Sequence, residues 1–274
     1  MRSPAGWAVV LAAAFLSGCA TAHNYLEPDQ PLYQGSFAPP AVDRPGPDTI
    51  RVVTYNIEVG AHVAEATEVL RDRSELRAAD VVLLQEMDEP GVRAIAEALS
   101  LGYVYVPSSR HTKQDRDIGN AILSPWPIEE RWKVRLPHLA RVSGHARSAV
   151  GARLRIGGRS LRVYSLHLAT LIGLGKGQRR DQLEAVIAHA SASTDPVVIA
   201  GDFNGKDMAR HLARRGFVWP TRGIGRTSTL LRFSFDHVLV RGLAPAADPG
   251  RGVVRDVPKG ISDHFPVWTS LRFE

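Results

Sequence analysis

The chain has 274 residues, 44% hydrophobic and 23% charged, with a formal net charge of +6. That is the balance of one ordinary globular domain able to bury a real core, and nothing in it suggests a second domain. The single cysteine excludes an intramolecular disulfide, and the positive charge favours anionic partners without choosing among nucleic acid, phospholipid and phosphorylated metabolites.

In chain order, Arg2 precedes an apolar run over 7–16 that is too short to span a bilayer. The run ends in Leu16, Ser17, Gly18 and Cys19, which resembles the signal peptide and lipobox of a bacterial lipoprotein. The resemblance implies cleavage after residue 18 and lipidation of Cys19; a plain secretory signal or a weak anchor is the alternative. Ala20 is similar to the residue found in lipoproteins sent to an outer membrane. The expected location is therefore the cell envelope, lipid-anchored and facing the periplasm or exterior, with the outer membrane favoured over the inner. Residues 19–48, rich in Pro, Gly, Asp and Gln, read as a flexible tether, and 49–274 as the folded domain.

The first strand, 51–56 (RVVTYN), ends in Asn56, and helical spacing predicts an outer helix over 62–76. A second apolar strand, 81–86 (VVLLQE), delivers Gln85 and Glu86, followed by a short helix over 91–99. A strand near 103–106 leads into a polar loop over 108–117 carrying Arg110, His111, Lys113 and Arg116. Residues 119–124 (GNAILS) resume a strand. A hairpin about Gly157-Gly158 joins 146–156 to 161–168 and presents His167 at its end. A flexible basic stretch over 171–180 precedes a helix over 181–190. The strand beginning at Pro196 (PVVIAGDFNG) stops at Gly201, Asp202 and Asn204. A short basic helix over 206–215 and a Gly, Ser, Thr and Arg loop over 221–232 lead to two last strand regions. These carry Asp236 with His237, and Asp263 with His264.

Polar groups at the mouths of buried strands are costly unless they share a pocket. Glu86, Asp202 and Asp263, with the amides of Asn56 and Asn204, form an oxygen-rich set that suits a hard divalent cation, Mg²⁺, Mn²⁺ or Ca²⁺, rather than zinc. His167 and His264 are then free to donate hydrogen bonds or move a proton.

The motifs TYNI (54–57), QE (85–86), GNAILS, HL (167–168), GDFN (201–204), DHV (236–238) and SDHFPV (262–267), in that order, resemble the endonuclease/exonuclease/phosphatase family. The resemblance implies a four-layer αββα sandwich, two packed mixed β-sheets flanked by helices. It also implies a metal-dependent phosphoester hydrolase using Mg²⁺ or Mn²⁺. In it Glu86, Asn56 and Asp263 hold the cation, Asp202 is the base for the attacking water, and Asn204 seats that water or the phosphate. His264 is a donor whose tautomer Asp236 fixes, and His167 is a second donor. Asn120 and Arg147 match substrate-binding positions, although a surface arginine is the alternative for Arg147. Taken singly, Asn56 and His237 read more readily as structural. A nuclease, a phospholipase-C-like enzyme or phosphatase, and a non-catalytic surface module all remain open, with phosphodiester hydrolysis favoured. The expected partners are a phosphate-containing substrate, possibly nucleic acid, and the membrane through the lipid anchor; no protein partner is implied.

Overall fold

Neighbouring residues of the central strands belong to different cores, because strand side chains alternate between faces. Val52 and Leu83 face one core while Val53 and Leu84 face another. That is why these strands read as unbroken apolar runs, and why each must be covered on both sides. The computed structural model describes residues 22–39, 45–111, 114–229, 232–246 and 250–274. Its strands are β1 (Tyr33–Ser36), β2 (Thr49–Asn56), β3 (Val81–Met87), β4 (Gly102–His111), β5 (Arg116–Ser124), β6 (Ile128–Leu136), β7 (Arg147–Ile156), β8 (Arg159–His167), β9 (Val197–Asp202), β10 (Asp236–Arg241), β11 (Leu243–Pro245), β12 (Arg251–Val253) and β13 (Val267–Phe273). The helices are α1 (Val63–Asp72), α2 (Glu89–Ala98), α3 (Lys176–Ala190) and α4 (Lys206–Arg214).

The first sheet runs β1-β4-β5-β3-β2-β13-β11, with β12 also on β13; the second runs β10-β9-β8-β7-β6. Between them, Val52, Leu83, Val104 and Ile122 pack against Val150, Val163, Val198 and Val238. Outside the first sheet, Ala66, Val69 and Leu70 of α1 and Val92 and Ile95 of α2 cover Val53, Tyr55 and Leu84. Outside the second, Leu183 and Val186 of α3 and Met208 and Leu212 of α4 cover Tyr164, Ile199 and Leu239. This is the four-layer αββα sandwich. Both sheets mix parallel and antiparallel pairs, since β2 runs parallel to β3 and β8 to β9.

Several local expectations are corrected. The polar stretch over 108–117 is largely strand: β4 and β5 pair through Arg110↔Asp117 and His111↔Arg116. Strand β6 is an addition to the expected elements: it lies at a sheet edge, and Glu129, Glu130 and Arg131, exposed in succession, interrupt the alternating pattern of a strand. Helix α3 starts five residues before the predicted helix, and its inward Arg179 and Gln182 are polar, which hides the apolar stripe. The described part of the expected tether is docked on the domain. Its β1 pairs with β4, the Tyr25 hydroxyl donates to Asp117, and Lys133 Nζ donates to the carbonyls of Tyr25 and Gln30. These contacts are mostly backbone, so composition does not reveal them. Residues 1–18 and Cys19 lie outside the described residues. No helix among the described residues is long and apolar enough to cross a membrane.

Candidate active site

Three polar residues fall on one rung of the second sheet. Asp202 of β9 is directly opposite Asp236 of β10 on one side and His167 of β8 on the other. The register is held by Gly201: at φ +141 it sits so close to β8 that a Cβ there would land on the Leu166 carbonyl. The first sheet answers with Asn56 and Glu86 at the ends of β2 and β3, and the segment before β13 brings Asp263 and His264.

Asp202 is 2% exposed and ringed by donors. Its Oδ1 accepts from the Asn204 backbone N–H at 2.7 Å. Its Oδ2 lies 3.3 Å from Asn56 Nδ2, 3.4 Å from His167 Nε2 and 3.7 Å from His264 Nε2. Burial, with Asp236 and Glu86 adding repulsion, still outweighs the nearby His264 and pushes its carboxyl up to about 7. That places it where a base working near neutrality is needed.

The two histidines are set to opposite charge states. Arg147 can only donate, so the 3.2 Å contact from its guanidinium makes His167 Nδ1 an acceptor and leaves the proton on Nε2, facing Asp202. Burial, and then the Arg147 and His264 charges, holds His167 well below the ordinary histidine range. For His264 burial opposes charge, but Asp236 and Asp202 overcome it and hold the imidazolium well above that range. Its Nδ1–H donates to Asp236 Oδ2 at 2.8 Å, which points Nε2–H at Asp202 and Asp263.

The first-sheet side is more open. The Glu86 side chain is 23% exposed and that of Asp263 35%. Glu86 has φ +58 at an irregularity in the β3–β5 pairing, a conformation that costs a non-glycine residue about 1–2 kcal/mol. The strain turns its carboxylate into the cleft, where Oε1 accepts from Asn56 Nδ2 at 3.2 Å and Oε2 from Val59 N–H at 3.1 Å. Burial, then Glu58 and Glu86, pushes the Asp263 carboxyl up against the opposing pull of His264.

The Exo_endo_phos model, the endonuclease/exonuclease/phosphatase family, matches residues 53–264. The chain belongs to this family. Its members are phosphoester hydrolases, and the structural comparisons agree on the fold. A family protein from Bacteroides thetaiotaomicron aligns with TM-score 0.67 at 18% identity, covering 82% of this chain and 98% of that one. A mannosyl-6-phosphatase from the same organism gives 0.61 at 18%, covering 82% and 100%. TDP2 of D. rerio, solved with a single-strand DNA product, gives 0.64 at 19%, also covering 82% and 100%. Among curated proteins none matches.

Of the expected residues, Asn56, Glu86, Arg147, His167, Asp202, Asp236 and His264 are joined by direct contacts, and Asp263 borders His264. Gln85, expected at the mouth of the cleft, lies instead between the sheets, accepting from Thr54 and donating to Ser165 Oγ at 3.0 Å. Asn120 donates to the Ser148 carbonyl at 2.6 Å beside Arg147, and its buried Oδ1 has no partner among the described residues. Asn204, at φ +49, donates Nδ2 to the Leu168 carbonyl at 2.8 Å, so it fixes the loop. A cation has two candidate settings. Asp202, Asp236 and His264 offer ligand atoms within 4.8 Å of one another, and the last two are already joined by the 2.8 Å bond from His264 Nδ1–H to Asp236 Oδ2. The Glu86 and Asp263 carboxylates repel one another and are partly open to solvent, which suits a hard cation, whereas Asn56 turns its Nδ2 to Glu86 and its Oδ1 accepts the Glu58 N–H at 3.1 Å.

Four supporting residues escape sequence reasoning. Thr227 Oγ accepts the backbone N–H of Phe235 and Asp236, and Ser262 Oγ donates to the Asn56 carbonyl while accepting His264 N–H, tying both sheets to one site. Arg116 pairs with Asp88 at 2.7 Å and donates to the Gly60 carbonyl, bracing the turn under Glu86. Arg179, fully buried, donates to the Phe203 carbonyl at 2.7 Å beneath the GDFN turn. Only the Ser preceding Asp263 carried any signal, as part of its motif.

Proposed function

We propose that the chain is a divalent-cation-dependent phosphodiesterase, with nucleic acid the favoured substrate, acting outside the cytoplasm from a lipid anchor at Cys19. The observation that carries the reading is the Asp236–Asp202–His167 rung closed by His264. It combines a carboxylate raised toward neutrality, a charged donor and a neutral donor around one opening. Glu86, Asp263 and Asn56 would hold Mg²⁺ or Mn²⁺, which when bound draws charge from a phosphoryl oxygen. Asp202 orients the attacking water and accepts its proton. His264, kept charged by Asp236, donates to a non-bridging oxygen; His167, aligned by Arg147, donates where negative charge develops. Asn204 seats the water, and Arg147 and Asn120 line the phosphate side.

The DNA product bound to the D. rerio fold neighbour supports the choice of nucleic acid. The test is hydrolysis of plasmid DNA and of bis(p-nitrophenyl) phosphate with Mg²⁺ or Mn²⁺. Both should be cut, and both reactions should stop with EDTA; turnover that persists in EDTA overturns the mechanism.

One observation favours a second substrate, a lipid headgroup. Leu139, Val142, Leu171 and Ile172 are exposed on two loops joined by the Arg141 N–H to Gly173 carbonyl bond, next to the start of β7 and the end of β8. Such an apolar lip fits a bilayer surface. Headgroup release from liposomes, with none from DNA, would replace the nuclease reading.

A further inference from the structure

Helix α4 follows the GDFN turn directly but lies outside the second sheet, away from the cleft. Its Lys206, Arg210 and Arg214 are spaced four apart and so share one face. With Arg222 from the following loop they line a cavity of about 460 Å³ that also includes Trp219, Ser234 and His237. None of the four cations has a carboxylate partner among the described residues. Like charges four apart weaken a helix, and Lys206 in the first turn opposes the helix dipole. Helix stability therefore does not explain the cluster. By contrast the arginines of the β4–β5 hairpin are engaged, Arg110 with Asp115 and Arg116 with Asp88.

The cavity's inner wall is specific about its ligand. His237 follows Asp236 on β10, so its ring turns to the opposite face from the catalytic rung. It is 1% exposed and stacks edge-on against Phe203 and Trp219. Its Nε2 lies 3.1 Å from the Ser234 carbonyl, which can only accept, so the proton is on Nε2 and Nδ1 carries a bare lone pair. That Nδ1, and the indole N–H of Trp219, have no hydrogen-bond partner among the described residues. A buried acceptor behind a ring of cations calls for an anion that brings its own O–H. A phosphate monoester or free phosphate retains one for part of the time near neutral pH; a phosphodiester and sulfate do not.

We infer that this cavity is a second anion site, specific for a phosphate monoester group: cations hold the oxygens, Trp219 donates to one, and the P–O–H donates to His237 Nδ1. The group can come from free phosphate or from the terminal phosphate of a substrate chain; only the second source rests on the function proposed above.

The full chain is titrated with inorganic phosphate, and separately with sulfate at matched ionic strength, while the ring nitrogens of His237 are followed by NMR. Phosphate should shift Nδ1 saturably and sulfate should not. Arg210→Ala combined with Arg214→Ala, both exposed positions, should weaken the phosphate response at least tenfold. Absence of a saturable shift, an equal shift with sulfate, or an unchanged response in the double variant overturns the site. In a second arm, an oligonucleotide with a terminal phosphate is compared with one lacking it. A lower KM for the phosphorylated strand, lost in the double variant while bis(p-nitrophenyl) phosphate turnover is unchanged, assigns the site to the substrate end. Equal KM values beside a positive titration assign it to free phosphate. Failure of all hydrolysis would sink the proposed function and leave the titration readable.

Discussion

The two sheets bring similar groups to the cleft in opposite surroundings. On the second sheet, Asp202, Asp236 and His167 lie on one rung, at most 3% exposed, with register fixed by backbone pairing. On the first, Glu86 and Asp263 are partly wet, and Glu86 reaches the cleft only by a strained bulge. On the proposed function, the difference separates two tasks. Proton transfer needs a dry site where pKa values can be driven apart, as those of His167 and His264 are. A hard cation keeps several waters and needs carboxylates open to solvent.

The strongest way to break this division is Asp202→Asn. As the base it should cost about 10³-fold in kcat, roughly 4 kcal/mol, with the fold intact by circular dichroism and the half-saturating Mg²⁺ little changed. For the intact enzyme kcat/KM should rise with pH as Asp202 loses its proton, through a limb near 7 that a bound cation moves lower. A large shift in cation requirement with modest loss of kcat would place Asp202 among the ligands and erase the contrast.

The dryness of the second sheet has its own signature in stability. Burial pushes His237 down to about 4, against an ordinary value near 6.5. Unfolded chain therefore binds the proton more tightly. This contribution is complete above about 6.5 and is lost as pH falls toward 4, by about 3 kcal/mol in all. Urea unfolding at pH 7.5, 5.5 and 4.5 should show it, and His237→Gln should flatten the slope. An unchanged slope would mean that water reaches the ring.

Glu86→Gln probes the wet rim. It keeps the size and removes the charge, so the half-saturating Mg²⁺ should rise at least tenfold, about 1.4 kcal/mol, while kcat at saturating cation falls less. The reverse pattern, lower kcat with unchanged cation dependence, would assign Glu86 to the proton pathway.

Much of this division was legible in the residues. Strand ends at Asn56, Glu86, His167 and Asp202 follow from apolar runs that stop abruptly, and the Asp236–His264 pair is found at 2.8 Å as the family resemblance implied. What stayed hidden depends on contacts between distant segments. Arg179 reads as one more charge in a basic stretch, yet its whole side chain is buried under Phe203. Gln85 adjoins Glu86 in sequence, but alternation sends it between the sheets, to Ser165. Whether a Thr or Ser hydroxyl meets the backbone of another segment, as Thr227 accepts from Phe235 and Asp236 N–H and Ser262 donates to the Asn56 carbonyl, is decided by tertiary packing alone.

The smallest effect tests the far edge of the first sheet, where β1 borders β4. Residues 22–39 lack a periodic apolar pattern, so the sequence places the domain boundary near Thr49. In the fold they supply two carbonyls to the ammonium of Lys133, at 2.9 and 2.6 Å, and close the β4 edge through Tyr33↔Tyr105. Removing them frees Lys133 to water and returns ordering entropy, so the net loss should be only about 1–2 kcal/mol. A chain beginning at Thr49 should thus fold with a lower urea midpoint and keep its kcat, because the contacts the segment makes, with β4, with Lys133 at the β6 edge and with Ala146, are not made to the rung itself. If kcat falls by an order of magnitude while the midpoint holds, the N-terminal segment shapes the cleft through Tyr25 and Asp117, and the two sheets are less independent than their surroundings suggest.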